Sequence, residues 1–258
     1  MENKTYKLLV AAIITGVLAA VVVIVVLVSL NSSTPQNSTN SANSQADSRE
    51  KGQYFTSDVN KVWNENMVLG NFANAQNHFV EYADPMCGYC AKFSLALIHN
   101  KSTFHQNYLD NGKLSLEVRL TDLLQSDDKR DNSKRAAEYA YCAADQNRFE
   151  DYYDAFIEEL DKDYFSKGIG SYHGAPEIEK LPDSYYDNVA KNANLDTGEL
   201  SDCLKSGKGG SQLRMATASA SKIINGGLPN FWFNNFKTGG FEGGWENVLK
   251  MFAAGGVS

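Results

Sequence analysis

Outside its first seven residues this 258-residue chain has no cluster of basic side chains, and its net charge is −7. Without a cationic stripe to neutralise phosphates, nucleic acid is not expected as a partner. No internal repeat is present, which argues against solenoid and propeller arrays. Cysteine is sparse, four residues in all, and only one pair stands close together. A second C-x-x-C knuckle is missing: Cys142 and Cys203 are singletons 61 positions apart, a poor basis for a four-cysteine zinc site. His78, His99, His105 and His173 show no ligand spacing and read as satisfied strand or surface residues. No metal and no cofactor are expected. Trp63, Trp232 and Trp245 read as core rather than as a sugar-binding platform.

Long apolar runs are also rare, and the exception is Leu8–Leu30, 23 residues without a charge. As a helix it is long enough to cross about 30 Å of hydrocarbon. Lys4 and Lys7 against Glu2 place the flank at 1–7 in the cytoplasm by the positive-inside tendency, so the remainder is expected outside. The competing reading, a cleaved signal peptide, calls for a shorter apolar core and an A-x-A-like site. Ser29-Leu30-Asn31-Ser32-Ser33 offers none. An uncleaved transmembrane anchor at 8–30 is therefore expected, followed by a flexible polar linker at 31–53. Residues 31–45 are Asn, Ser, Thr or Gln except for Pro35 and Ala42, a composition unable to bury enough apolar area to offset its ordering entropy. The remaining 54–258 suffice for one domain with a good core. Beyond the membrane, thiols meet an oxidising environment.

What the chain does have is Tyr82-Ala83-Asp84-Pro85-Met86-Cys87-Gly88-Tyr89-Cys90. The C-x-x-C pair follows a strand-like run, His78–Ala83, and precedes a helix-compatible one, Ala91–His99. A cysteine in the first turn of a helix faces unsatisfied N–H groups and the positive end of the dipole, so its pKa falls. A second sulfur three residues on lies on the same face, close enough to close a disulfide. Cys87 is the expected nucleophile, the more exposed sulfur with the lower pKa, and Cys90 the resolving thiol. A static disulfide or half of a zinc site would be the inert alternatives.

Val59–Met67 reads as a short lead-in and Gly70–Asn77 as turn. Helical character extends over Ala91–Tyr108, ended by Asn111-Gly112. Leu114–Leu120 alternates as a strand with Leu114, Leu116, Val118 and Leu120 on one face. Strand, helix, strand in this order predicts a parallel βαβ unit. A helical block follows: Ser133–Ala144; a stripe at Phe149, Tyr152, Tyr153, Phe156, Ile157 and Leu160; Ser184–Ala193; a helix capped at Asp196 that carries Cys203; and Gln212–Ile224. Leu228-Pro229-Asn230, a strand at Phe231–Phe233, a glycine-rich turn at 239–244 and a helix at Trp245–Phe252 complete the domain.

The acid-to-C-x-x-C spacing, this element order and Pro229 before the late strand give a chain that resembles the DsbA-like thiol–disulfide oxidoreductases over roughly Met67–Phe252. The resemblance implies an α/β, thioredoxin-like fold with a helical subdomain inserted at about 123–210. It implies a cis-proline at Pro229, with Leu228, Pro229 and Tyr89 binding an extended client peptide. Glu81, six residues before Cys87, matches an acid that moves protons for the resolving cysteine; a strand glutamate facing water is the alternative. Asp84 is a second candidate, as acid or as helix cap. Cys142 and Cys203 are expected to form a structural disulfide, as in some relatives, worth about 4 kcal/mol in the chain-entropy model; a second redox relay is the alternative. Gly88 and Tyr89 replace the Pro-His of strongly oxidising members and resemble the pair of periplasmic disulfide isomerases, so a potential below DsbA's about −120 mV, nearer the isomerase's about −180 mV, is expected.

The expected function is that of an extracytoplasmic oxidoreductase introducing disulfides into exported proteins. Its partners would be exported chains with cysteine thiols and, by resemblance, a quinone-linked membrane protein of the DsbB or vitamin-K-epoxide-reductase type. An isomerase or reductase, and a tethered peptide-binding chaperone without turnover, are the alternatives.

Overall fold

The computed structural model describes residues 62–257 apart from 126, 128, 171, 172, 235 and 239. The expected anchor at 8–30 and linker at 31–53 lie outside the described residues, among which no helix is long and apolar enough to cross a membrane. The elements run β1 (Val68–Leu69), β2 (His78–Ala83), α1 (Gly88–Ile98), α2 (Lys101–Phe104), β3 (Ser115–Leu120), α3 (Asn132–Asp145), α4 (Phe149–Asp163), α5 (Asp183–Asn192), α6 (Thr197–Ser206), α7 (Lys208–Ile223), β4 (Asn230–Phe233), β5 (Phe236–Lys237) and α8 (Trp245–Ala254).

The sheet order is β1-β3-β2-β4-β5. β2 and β3 are parallel, in register from His78 opposite Ser115 to Ala83 opposite Leu120, as the strand–helix–strand pattern requires. The other pairings are antiparallel.

The two faces of this sheet are built differently. On one, Phe79 stacks on Phe231 and Phe233 at 5.3 and 4.4 Å and meets Phe93 of α1 and Phe252 of α8 edge-on. Each such ring contributes about 1.5–3 kcal/mol by leaving water, and together they fix α1 over the centre of the sheet. The other face carries Val80, Tyr82 and Trp232 and is covered by Ala220 and Ile223 of α7. Alternation on β3 had set Leu116, Val118 and Leu120 on one face, yet all six of its residues are buried. The reason is that a central strand beside a parallel partner is covered on both sides, so Ser115, Glu117 and Arg119 are interior as well.

The helical run expected at Ala91–Tyr108 is broken. Asn100 folds its side-chain amide back onto the Ala96 carbonyl at 2.9 Å, the local competition that makes asparagine a poor helix interior residue. α1 ends there, and α2 continues into a wide π-type turn over His105–Leu109. Between β3 and β4 the five helices α3–α7 form the helical block. The stripe Phe149, Tyr152, Tyr153, Phe156, Ile157 and Leu160 is buried throughout, and Asp196 caps α6 by accepting from Gly198 and Glu199 N–H. Cys142 of α3 and Cys203 of α6 are joined in a disulfide.

Candidate active site

Cys87 is the N-cap of α1. Its backbone is extended, and its Sγ accepts the Cys90 N–H at 3.4 Å while its carbonyl accepts from Ala91. The sulfur thus takes the position in which Ser or Asp usually satisfies a free N–H of the first turn. Its thiol donates to the Leu228 carbonyl at 3.6 Å, and the Leu228–Pro229 peptide is cis. The loop before β4 therefore meets the start of α1 at the sulfur itself.

Both thiols are free, and they differ strongly. Cys87 lies below its ordinary pKa: the Cys90 thiol donates to it, burial opposes, and the Cys90 and Tyr89 N–H groups add to the lowering. The sequence had put the helix terminus first; in the folded site the neighbouring thiol is the larger cause. Cys90 is pushed well above its ordinary value, first by burial, then by its bond to Cys87 and by the charges of Cys87 and Glu81. Cys87 is the more exposed sulfur, as expected, but at 7 % against 0 % it is nearly covered. Only its outer edge is presented to a client.

Glu81 is 1 % exposed and does not face water. Burial raises its pKa well above the carboxylate range, with the Cys87 charge acting in the same direction, and its Oε1 has no protein partner. It is thus a carboxyl whose ionisation burial opposes, within electrostatic reach of both sulfurs. Asp84 is fully buried but caps another structure than the one expected. The cap of α1 is Cys87; Asp84 instead accepts from Met86 N–H at 2.9 Å, Leu124 N–H at 2.9 Å and Ser133 Oγ at 2.6 Å. It ties the loop before Cys87 to the first turn of α3. Burial pushes it up to about 6 against those three donors.

Tyr89, Leu228 and Pro229 line one groove of about 300 Å³, with Phe231, Thr238 and Phe241. Tyr89 is 46 % exposed and Lys92 Nζ stands 4.8 Å from its ring centre. The Gly-Tyr dipeptide carries no cation, but a lysine one turn on supplies one at its edge. Its spacing, i, i+3 from Tyr89, is the signal the sequence carries for it.

Cys142 is buried and Cys203 half-buried, with Asp145 Oδ2 3.6 Å from the Cys203 sulfur and 2.7 Å from Lys208 Nζ. The disulfide is held in the helical block by α3 and α6. No group of three or more His, Cys, Asp and Glu side chains arranged to hold a metal occurs among the described residues. His78 bonds Ser115 Oγ and His105 bonds Glu150, both as part of the scaffold.

The sequence reading missed a buried network on the other face. Arg119 donates to Glu117 at 2.7 Å and to the Tyr82 hydroxyl at 2.8 Å, lies 3.9 Å from the Trp63 ring, and Tyr82 bonds Ser219. Two opposite charges two residues apart in a strand of a parallel pair were the available signal, since both faces of such a strand are covered.

Among solved structures the chain is similar to the thiol-disulfide exchange protein alpha-DsbA2 from Wolbachia pipientis (18 % identity, TM-score 0.51, covering 74 % of this chain and 86 % of that one). It is similar to the disulfide bond oxidoreductase DsbG from Mycobacterium tuberculosis (19 %, 0.54, 74 % and 88 %) and to BdbD from Bacillus subtilis (16 %, 0.56, 73 % and 91 %). At these identities the likeness establishes the fold. No curated protein matches the chain. A family model described as thioredoxin matches residues 63–236, more than half of the sequence and the whole of the C-x-x-C, Pro229 and β4 region. The chain belongs to the thioredoxin family.

Proposed function

We propose that this protein is an extracytoplasmic thiol–disulfide oxidoreductase that introduces disulfides into exported chains through Cys87 and Cys90. The observation that carries this reading is the asymmetry of the pair: one sulfur below its ordinary pKa at the edge of a groove, the other above it and fully buried. A client thiolate attacks Cys87 Sγ of the disulfide form. The Cys87–Cys90 bond breaks, its electron pair stays on Cys90, and Glu81 supplies the proton that neutralises the buried sulfur. A second client thiolate then attacks the client sulfur and Cys87 departs as the more stable thiolate. The groove at Tyr89, Leu228 and Pro229 receives the client backbone as an added strand. The dithiol so produced returns to the disulfide by passing two electrons to a membrane partner, a quinone-linked protein of the DsbB or vitamin-K-epoxide-reductase type on the strength of resemblance. An anchor at 8–30 would hold the domain near such a partner.

The test is the reduction potential of the Cys87–Cys90 couple against glutathione. A value between DsbA's about −120 mV and the isomerase's about −180 mV is expected; one near thioredoxin's about −270 mV would sink the oxidase direction in favour of a reductase. In cells, Cys90→Ala should trap exported proteins as covalent adducts on Cys87. Non-reducing gels without such adducts, with client binding retained in Cys87→Ser, would leave a chaperone as the reading.

A further inference from the structure

Beneath the active site lies a small cavity of about 20 Å³, bounded at its inner end by Glu81, Ser94 and Tyr153 and at its outer end by Lys101, Glu150 and Asp154. A space of this size holds one water, and a water needs two to four polar partners. Partners are present. Glu81 Oε1 is buried without a protein hydrogen bond, the buried Tyr153 hydroxyl has the Ser94 hydroxyl beside it without a well-aligned bond, and all three residues line this space. Buried polar groups are seldom left so. Tyr153 comes from α4 of the helical block, not from the thioredoxin half, and its ring is fixed by stacking on Phe149 at 5.4 Å.

Resting on the reading above, we propose that Tyr153 is a positioning residue for the resolving thiol: its hydroxyl holds a water against Glu81, and that water carries protons between Glu81 and the Lys101–Glu150–Asp154 cluster at the surface. The helical block thereby completes the proton path of the Cys87–Cys90 pair. The outer cluster suits the exchange. Lys101 Nζ lies 2.7 Å from Asp154 and 3.0 Å from Glu150, and His105 bonds Glu150 at 2.7 Å. Burial pushes Asp154 up to about 6 against the pull of Lys101, so this carboxyl takes and returns protons near neutrality.

Among the described residues, Glu81 is faced by three helices and two strands. α1 presents Cys87, Cys90 and Ser94; α4 presents Tyr153, with Glu150 and Asp154 further out; α2 contributes Lys101. In register, β3 and β4 place Val118 and Phe231 beside it, neither of which titrates. When Cys90 attacks a mixed disulfide on Cys87, its proton goes to the Glu81 carboxylate and from there through the water. The new Cys87–Cys90 bond forms, and the departing thiol keeps the electron pair of the broken bond.

The experiment uses the full chain carrying glutathione on Cys87 and follows glutathione release against pH in the parent, Tyr153→Phe and Glu81→Gln. Tyr153→Phe should slow release about tenfold near neutrality, a smaller loss than the about 10²–10⁴ of a direct acid or base. Without its water the Glu81 carboxylate is harder to form, so the acid limb of the profile should move to higher pH. Alkylation of Cys87 and the melting temperature should stay as in the parent. A Tyr153→Phe rate and profile equal to the parent's overturns the proposal, whether or not Glu81→Gln is slow. A parent that releases no glutathione overturns the function reading itself. If Tyr153→Phe does not fold, the Glu81 carboxyl stretch of the parent, assigned by its loss in Glu81→Gln, decides: a hydrogen-bonded position supports the water, and the position of a dry carboxyl overturns it.

Discussion

Glu81 and Glu117 stand on adjacent parallel strands, each 1 % exposed, on opposite faces of one sheet. Burial raises both. For Glu117, His78, Arg119 and the Trp63 N–H outweigh it and hold the carboxyl below its ordinary value. At Glu81 no cation offsets burial, which holds it well above. Depth is the same; partners decide. One face of the sheet spends its buried charge on structure, and the other keeps an unpaired acid where two sulfurs exchange protons.

Removing the cation from the structural face should have the largest effect. Arg119→Leu strips the buried Glu117 carboxylate of its guanidinium partner and leaves it His78 and the Trp63 N–H, which costs about 3 kcal/mol, while the thiolate titration of Cys87 on the other face stays as it was. Urea unfolding followed by fluorescence checks the first part and alkylation against pH the second. If stability is unchanged, the pair is not what separates the two faces.

The two acids also predict opposite pH slopes. Folded Glu81 binds a proton that the unfolded chain releases above about pH 4.5, so stability falls as pH rises from there to its raised folded value, by up to about 1.4 kcal/mol per pH unit. Glu81→Gln should abolish that slope and gain more stability at pH 8 than at pH 4.5. Glu117 works the other way: its stabilisation is present above its unfolded pKa and is lost as pH falls through the depressed folded one. Glu117→Gln should remove an acid-side loss instead. Parallel slopes in the two variants would contradict the comparison.

The smallest effect sharpens it. Asp84 is a third buried acid, bonded to three donors, none of them a cation, and burial lifts it to about 6 against them. Asp84→Asn should cost about 1 kcal/mol through the lost acceptor for Leu124 N–H. It should also lower the Cys87 pKa, because the Asp84 charge now raises it. A thiol titration that moves upward would show that the loop's position, and not its charge, governs the sulfur.

How far the sequence could be read follows from what each signal depends on. The C-x-x-C pair, the stripe of α4, the cap at Asp196 and the parallel strands were legible because local spacing alone produces them. The break at Asn100 was written in one side chain and passed over inside a longer helical pattern. Glu117 and Arg119 looked like the wet side of an alternating strand, since alternation says which residues share a face and not what covers it. Ser94 and Tyr153 gave no chemical sign at all. One sits in the middle of a helix, the other in an apolar stripe, and only the packing of α4 under α1 brings them to Glu81.

By itself the sequence determined where a thiolate would form, because the C-x-x-C spacing at the start of a helix brings first the Cys90 thiol and then the helix's own N–H groups to the Cys87 sulfur. It also determined the order of strands and helices, through periodicities of two and 3.6 residues. Tertiary structure alone decided which buried acid would be held below its ordinary pKa and which above it. Ionisation in a dry interior depends on groups within a few ångströms, and those groups arrive from strands and helices far apart in the chain.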